Sequence, residues 1–150
     1  DEILKDLKKK NVLVIGSGFS FHNMNAFSWS DDDQIDEKND TFQEYLIQYC
    51  TEEKYLNKRD ETLIAWDKIP FARYCHPREE HLLPLHVCLG MTDKPGKLIF
   101  DDYILGKRSI ALLWEWGKSN TWFNRDNAVS GLATDKYLKL KYFNLLYNKN

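Results

Sequence analysis

The sequence predicts an α/β domain in which a mixed, mostly buried sheet is flanked by helices. Two observations carry that prediction. The run Val12-Leu13-Val14-Ile15 is continuous, apolar and mostly β-branched, the pattern of a strand buried on both faces, and it ends at the turn Gly16-Ser17-Gly18. Beyond it, apolar residues recur first at helical spacing and then in two short β-rich segments, so strand and helix signals share one chain. With 150 residues, 43% of them hydrophobic and 14% aromatic, the chain has material for one well-filled core.

The elements follow in order. Ile3, Leu4 and Leu7 stand at helical spacing, Lys8 to Lys10 suit a helix C-terminus, and Asn11 is a stop signal, so the opening reads as the last turns of a helix feeding the first strand. From Ser28 to Thr41 the acidic stretch WSDDDQIDEKNDT lacks apolar periodicity and reads as a solvated loop, with Asp40 or Thr41 capping the next helix. It also lacks the glycine and distal glutamate of a calcium loop. Phe42, Tyr45, Leu46 and Tyr49 mark a helix from about 42 to 55, and Leu63, Ile64 and Trp66 a second from about 60 to 68, ended by Pro70. A third helix, Leu82 to Leu89, closes at Gly90, with Pro84 tolerated in its first turn and His81 at its N-terminus. Lys97 to Phe100 and Ser109 to Trp114 read as strands joined through a turn at Gly106. After Trp116 the composition shifts towards Asn, Lys and Tyr. The ending YLKLKYFNLLYNKN alternates but has no clear partner, so residues 1 to 116 read as the domain and 117 to 150 as an appended tail.

Composition excludes several classes. A formal charge of −2 and a pI near 6.1 give no electrostatic case for nucleic acid or an anionic membrane surface. No apolar run approaches the roughly 20 residues that span a bilayer, and DEILKDLKKK is charged rather than signal-like. Cys50, Cys75 and Cys88 form no C-x-x-C pair and fit buried, reduced thiols, so a cytoplasmic protein is the expectation.

Two stretches carry candidate chemistry. The first, IGSGFSFHNM, begins like a nucleotide-binding turn. A dinucleotide fingerprint needs a third glycine where Phe21 stands, no G-K-[ST] follows, and G-x-S-x-G is absent. What survives is a strand-end turn, its glycines acting as hinges, that presents His22 and Asn23 to the crevice beyond a sheet's carboxyl end. The second, RYCHPREEHLLPLH, holds His76, Glu79, Glu80, His81 and His86 within eleven positions. It is neither H-E-x-x-H nor a zinc-finger spacing, so any metal bound here must be shared with distant residues. His76, before a proline, and His86, within an apolar helix, read as structural histidines.

Taken together, GSGFSFHN, HPREEHLLPLHVCLG about 50 residues later, and the following LIFDDYILGKRSIALLW resemble the C-terminal half of the class III extradiol ring-cleavage dioxygenases, in the DOPA 4,5-dioxygenase-like branch. The resemblance covers residues 1 to 116. It implies an α/β domain with one divalent metal, Fe2+ or Zn2+, held by histidines from separate parts of the chain. It further implies that His22 is either the acid/base beside the metal or a ligand, and that His81 is a metal ligand, with Glu80 the second candidate. The implied substrates are O2 and a catechol such as DOPA. Such a diol must lose protons before chelation, and a histidine near pKa 6.5 can take one and return it at neutral pH, which suits the acid/base role to His22. The family's other ligands lie in glycine-rich and His-Trp segments of the N-terminal half, which this sequence lacks. The expectation is therefore part of an enzyme, inactive by itself and partnered by the missing half. A fold-keeping interaction protein without catalysis is the alternative, and a zinc hydrolase using Glu80 as base is a third reading without supporting spacing.

Overall fold

A computed structural model describes Leu4, Leu7, residues 13 to 28 and 35 to 117, and the strand at 143 to 149; from residue 116 onward only the backbone is described. Apart from Leu4 and Leu7, which pack against the core, the expected opening helix lies outside the described residues.

The elements run β1 (Leu13–Ser17), α1 (Glu37–Thr51), a 3₁₀ turn (Glu53–Tyr55), α2 (Leu56–Ile64), a second 3₁₀ turn (Trp66–Lys68), α3 (Ala72–Cys75), α4 (Leu83–Leu89), β2 (Lys97–Ile104), β3 (Lys107–Gly117) and β4 (Phe143–Lys149). The sheet order is β1-β4-β3-β2, with β4 antiparallel to β1 and parallel to β3. It is the mixed α/β sheet that the sequence predicts. The β2–β3 hairpin turns at Leu105 (φ 50°) and Gly106 (φ 70°), two successive left-handed residues as in a type I′ turn. Ile110, Leu112 and Trp114 of β3 face Phe42 and Leu46 of α1 and Leu85 and Leu89 of α4 in one buried core.

Three expectations need correction. β1 is not buried on both faces. Among the described residues it lies at the sheet edge; Val14 and Gly16 face the core and α4, whereas Leu13 and Ile15, pointing the other way, are about half exposed. The cap of α1 is Asp36, not Asp40 or Thr41: its side chain accepts from the Asn39 amide at 3.2 Å, and the helix begins at Glu37. The apolar criterion misses this start because the inward face of the first turns is polar, Asn39 and Gln43 both being fully buried. Finally, the alternation near the chain end does have partners. β4 aligns Leu145 with both Ile15 of β1 and Leu113 of β3, in the interior of the sheet.

Candidate functional site

The site forms where the glycine turn after β1 meets the turn before α4. Neither Gly16 nor Gly18 adopts left-handed backbone, so these residues are not hinges. Their value is the missing Cβ. One added at Gly16 would lie 2.7 Å from Cys88 Sγ and 2.8 Å from the Pro84 carbonyl oxygen, and one at Gly18 would overlap the carbonyl oxygen of His81. Only glycines let the end of β1 slide against the His81–Pro84 turn.

Three hydrogen bonds then lace the loop after the glycines to the segment around α3. The His22 amide donates to the Cys75 carbonyl (2.9 Å), Asn23 Nδ2 to the Tyr74 carbonyl (2.8 Å), and His76 Nε2 lies 2.8 Å from the Ser20 carbonyl. Phe21, at the position of the missing third glycine, is fully buried edge-on to Phe27 and Tyr74, with ring centroids 5.3 and 6.0 Å away. It anchors the loop from inside, and its neighbour His22 is left at the surface of the junction.

The outcome is a stacked pair of imidazoles: the rings of His22 and His81 lie 3.5 Å apart between centroids and 16° from parallel. Partial burial lowers the His22 pKa below its ordinary value, and the neighbouring His81 lowers it further, against an opposing pull from Glu80. His22 is therefore neutral at pH 7, with a lone pair free to accept a proton. An imidazole lone pair lies in the ring plane, so two nearly parallel rings cannot both aim at one ion. The pair as it stands is not a chelate. Among the described residues no three His, Cys, Asp or Glu side chains are grouped so as to hold a metal ion. This donor set can supply one ligand to a site completed elsewhere, together with one base beside it.

The other candidates of the second motif are occupied. Glu80 is exposed and paired with Arg78 at 3.4 Å, and Glu79 with Arg73 at 3.1 Å. His86 has Nδ1 3.1 Å from the Leu82 carbonyl and Nε2 2.7 Å from that of Leu63, tying α4 to the end of α2. His81 borders a cavity of about 10 Å³ walled by Phe19, Leu82, Leu85 and Ile110, room for one water and far too small for an aromatic diol. A larger open groove of about 710 Å³ lies between Glu37, Asp40 and Glu44 of α1 and Asp101, Asp102 and Arg108 of the hairpin; neither His22 nor His81 lines it.

One polar cluster escaped the sequence reading. The Asp36 carboxylate accepts from Lys107 Nζ and from the Tyr74 hydroxyl (2.6 Å), and both ionic side chains are about nine-tenths buried. Burial alone would push the Asp36 carboxyl up. The hydrogen bonds from Lys107, Tyr74 and Asn39 outweigh it and hold the pKa below the usual carboxylate range. Lys107 Nζ also sits 5.7 Å from the centre of the Phe21 ring, so the cluster backs the loop that carries His22. Its only trace in the sequence is Asp36 three residues before a buried asparagine.

The chain is similar to the 4,5-DOPA dioxygenase extradiol-like protein of Schizosaccharomyces pombe (strain 972 / ATCC 24843), with 28% identity over 96 residues, 63% of this chain and 32% of that protein. It thus spans about a third of the length of the curated relative it matches. No protein-family model and no solved structure matches. The similarity supports a relationship to the extradiol dioxygenases. No helix among the described residues is long and apolar enough to cross a membrane.

Proposed function

We propose that residues 1 to 116 are the C-terminal part of a cytoplasmic extradiol dioxygenase domain, which opens the ring of a DOPA-like catechol with O2. The observation that carries this reading is the His22–His81 stack, because it sets a neutral base against a second histidine at the meeting point of the two motifs. His81 would be this chain's ligand to one Fe2+ or Zn2+, with the remaining ligands supplied from outside this chain, by the other half of the domain. When bound, the ion would supply the Lewis-acid and redox chemistry that activates the diol and O2. His22 takes a proton from a catechol hydroxyl on a ring nitrogen and returns it as the ring opens. The role divides between the two rings because parallel imidazoles do not share one ion.

Metal content and ring cleavage, the latter followed by the yellow semialdehyde product, test the assignment in the intact protein. His22→Gln should keep most of the metal and lower turnover by about 10²- to 10⁴-fold, the usual worth of a general acid/base. His81→Gln should lose the metal. Loss of metal from His22→Gln would move His22 among the ligands. An intact protein that binds no metal would point to the non-catalytic interaction protein, and ring cleavage by these 150 residues alone would refute ligands supplied from elsewhere.

A further inference from the structure

His76 and His81 lie five positions apart in one motif, yet their surroundings differ completely. His81 is partly exposed in the stack, whereas His76 is fully buried between Phe42 and Trp66, with ring centroids 5.6 and 6.2 Å away. Its Nε2 lies 2.8 Å from the Ser20 carbonyl oxygen, which can only accept, so Nε2 carries the hydrogen and Nδ1 the lone pair. Nδ1 is buried without a hydrogen-bond partner. A ring that leaves one nitrogen unsatisfied in the core bears a desolvation cost that a leucine would avoid. The same carbonyl accepts from Gln43 Nε2 at 2.9 Å, and the Ser20 hydroxyl accepts from the Ile110 amide at 2.8 Å. Ser20 is thus fixed from α1, β3 and the HPREEH segment at once, two residues before His22.

We propose that His76 is a positioning residue: by donating Nε2–H to the Ser20 carbonyl it sets the loop bearing His22 in register with His81, which lies on its own segment. The two histidines of HPREEH then form one device, the first placing the base and the second facing it. Burial pushes the His76 imidazole down to about 4 against the opposing pull of its hydrogen bond to Ser20, with His22, His81 and His86 nearby adding to the fall, so the neutral donor form holds at pH 7. For catalysis the inference rests on the acid/base reading of His22; for the stack it does not.

The test exploits side-chain reach. In His76→Gln the amide nitrogen falls near the place of Nε2 and can still donate to Ser20, whereas in His76→Asn it falls near that of Nδ1 and cannot. The measurements are the ring-current shifts of the His22 and His81 imidazole protons by NMR, and kcat and KM for a catechol in the intact protein. The glutamine variant should keep the stack and stay within a few-fold of wild-type kcat. The asparagine variant should lose the stack and about 10²-fold in kcat at little-changed KM, the scale of an ångström's misplacement of a catalytic group. Loss of the stack in the glutamine variant, failure of that variant to fold, or a stack retained in the asparagine variant would overturn the proposal. So would an Nδ1–H tautomer for His76 in the ¹⁵N spectrum of the wild-type protein, a reading that needs no variant at all. A stack lost in His76→Asn with kcat unchanged would leave the positioning intact and refute the acid/base role of His22.

Discussion

Two acceptors organise the loop that carries His22, and they do it in opposite ways. The Ser20 carbonyl gathers neutral donors, His76 and Gln43; the Asp36 carboxylate gathers a lysine, a tyrosine and a backbone amide. Neutral bonds are individually modest, about 1 kcal/mol net, but directional, so the Ser20 junction fixes geometry. A buried ion pair contributes little relative to an apolar replacement and becomes very costly when one partner is removed. The first cluster is therefore tuned for where His22 sits, the second for whether α1, Tyr74 and the hairpin hold together.

Breaking the charged cluster should have the largest effect. Asp36→Ala strands the Lys107 cation in the core and removes the cap of α1, and it should cost on the order of 3–5 kcal/mol in denaturant unfolding. A loss below 1 kcal/mol would mean that Lys107 reaches water, and the contrast would collapse.

Acid should act through the neutral cluster. The folded-state pKa of His76 is lowered from 6.5 to about 4, so the unfolded chain takes up the proton first as pH falls. Its contribution is fully present above pH 6.5 and is lost progressively down to about pH 4, on the order of 3 kcal/mol. Stability measured across that window should fall more steeply in wild type than in His76→Gln. Parallel slopes would show that the acid response comes from elsewhere.

The smallest effect, and the sharpest for the site, is expected from Gly18→Ala. The added Cβ meets backbone, the His81 carbonyl, which cannot swing aside as a side-chain tip would. About 1–3 kcal/mol should be lost. The separation forced between the two turns should also part the imidazoles, visible as loss of their mutual ring-current shifts while the Asp36 cluster stays intact.

How much of this was legible in the sequence depended on the range of the interaction. Helical spacing located α1, α2 and α4, and the turn at Gly106 located the hairpin, because their signals are local. The two motifs pointed to His22 and His81, though only the structure stacks them. Phe21 removed the nucleotide reading without revealing its task as an anchor. The cap at Asp36 was hidden because Asn39 and Gln43 are polar residues in core positions, a pattern that apolar periodicity cannot register. The glycines gave the right place for the wrong reason: close approach and backbone freedom both call for glycine, and only the partner's position tells them apart. β4 was illegible because its pairing to β1 joins residues about 130 positions apart, and a strand's alternation carries no mark of its distant neighbour.

That last pairing bears on how the protein is made. Among the described residues β1 has one sheet neighbour, and that neighbour is β4. During synthesis the helices and the β2–β3 hairpin can pack as soon as they emerge, while β1 waits for β4 until residue 149 clears the ribosome. The strand that leads into the glycine turn is thus translated well before β4 and gains that neighbour only after it. A ribosome stalled before Phe143 would hold β1 without its β4 neighbour, with Leu13 and Ile15 on its outer face and that backbone edge a template for the wrong partner.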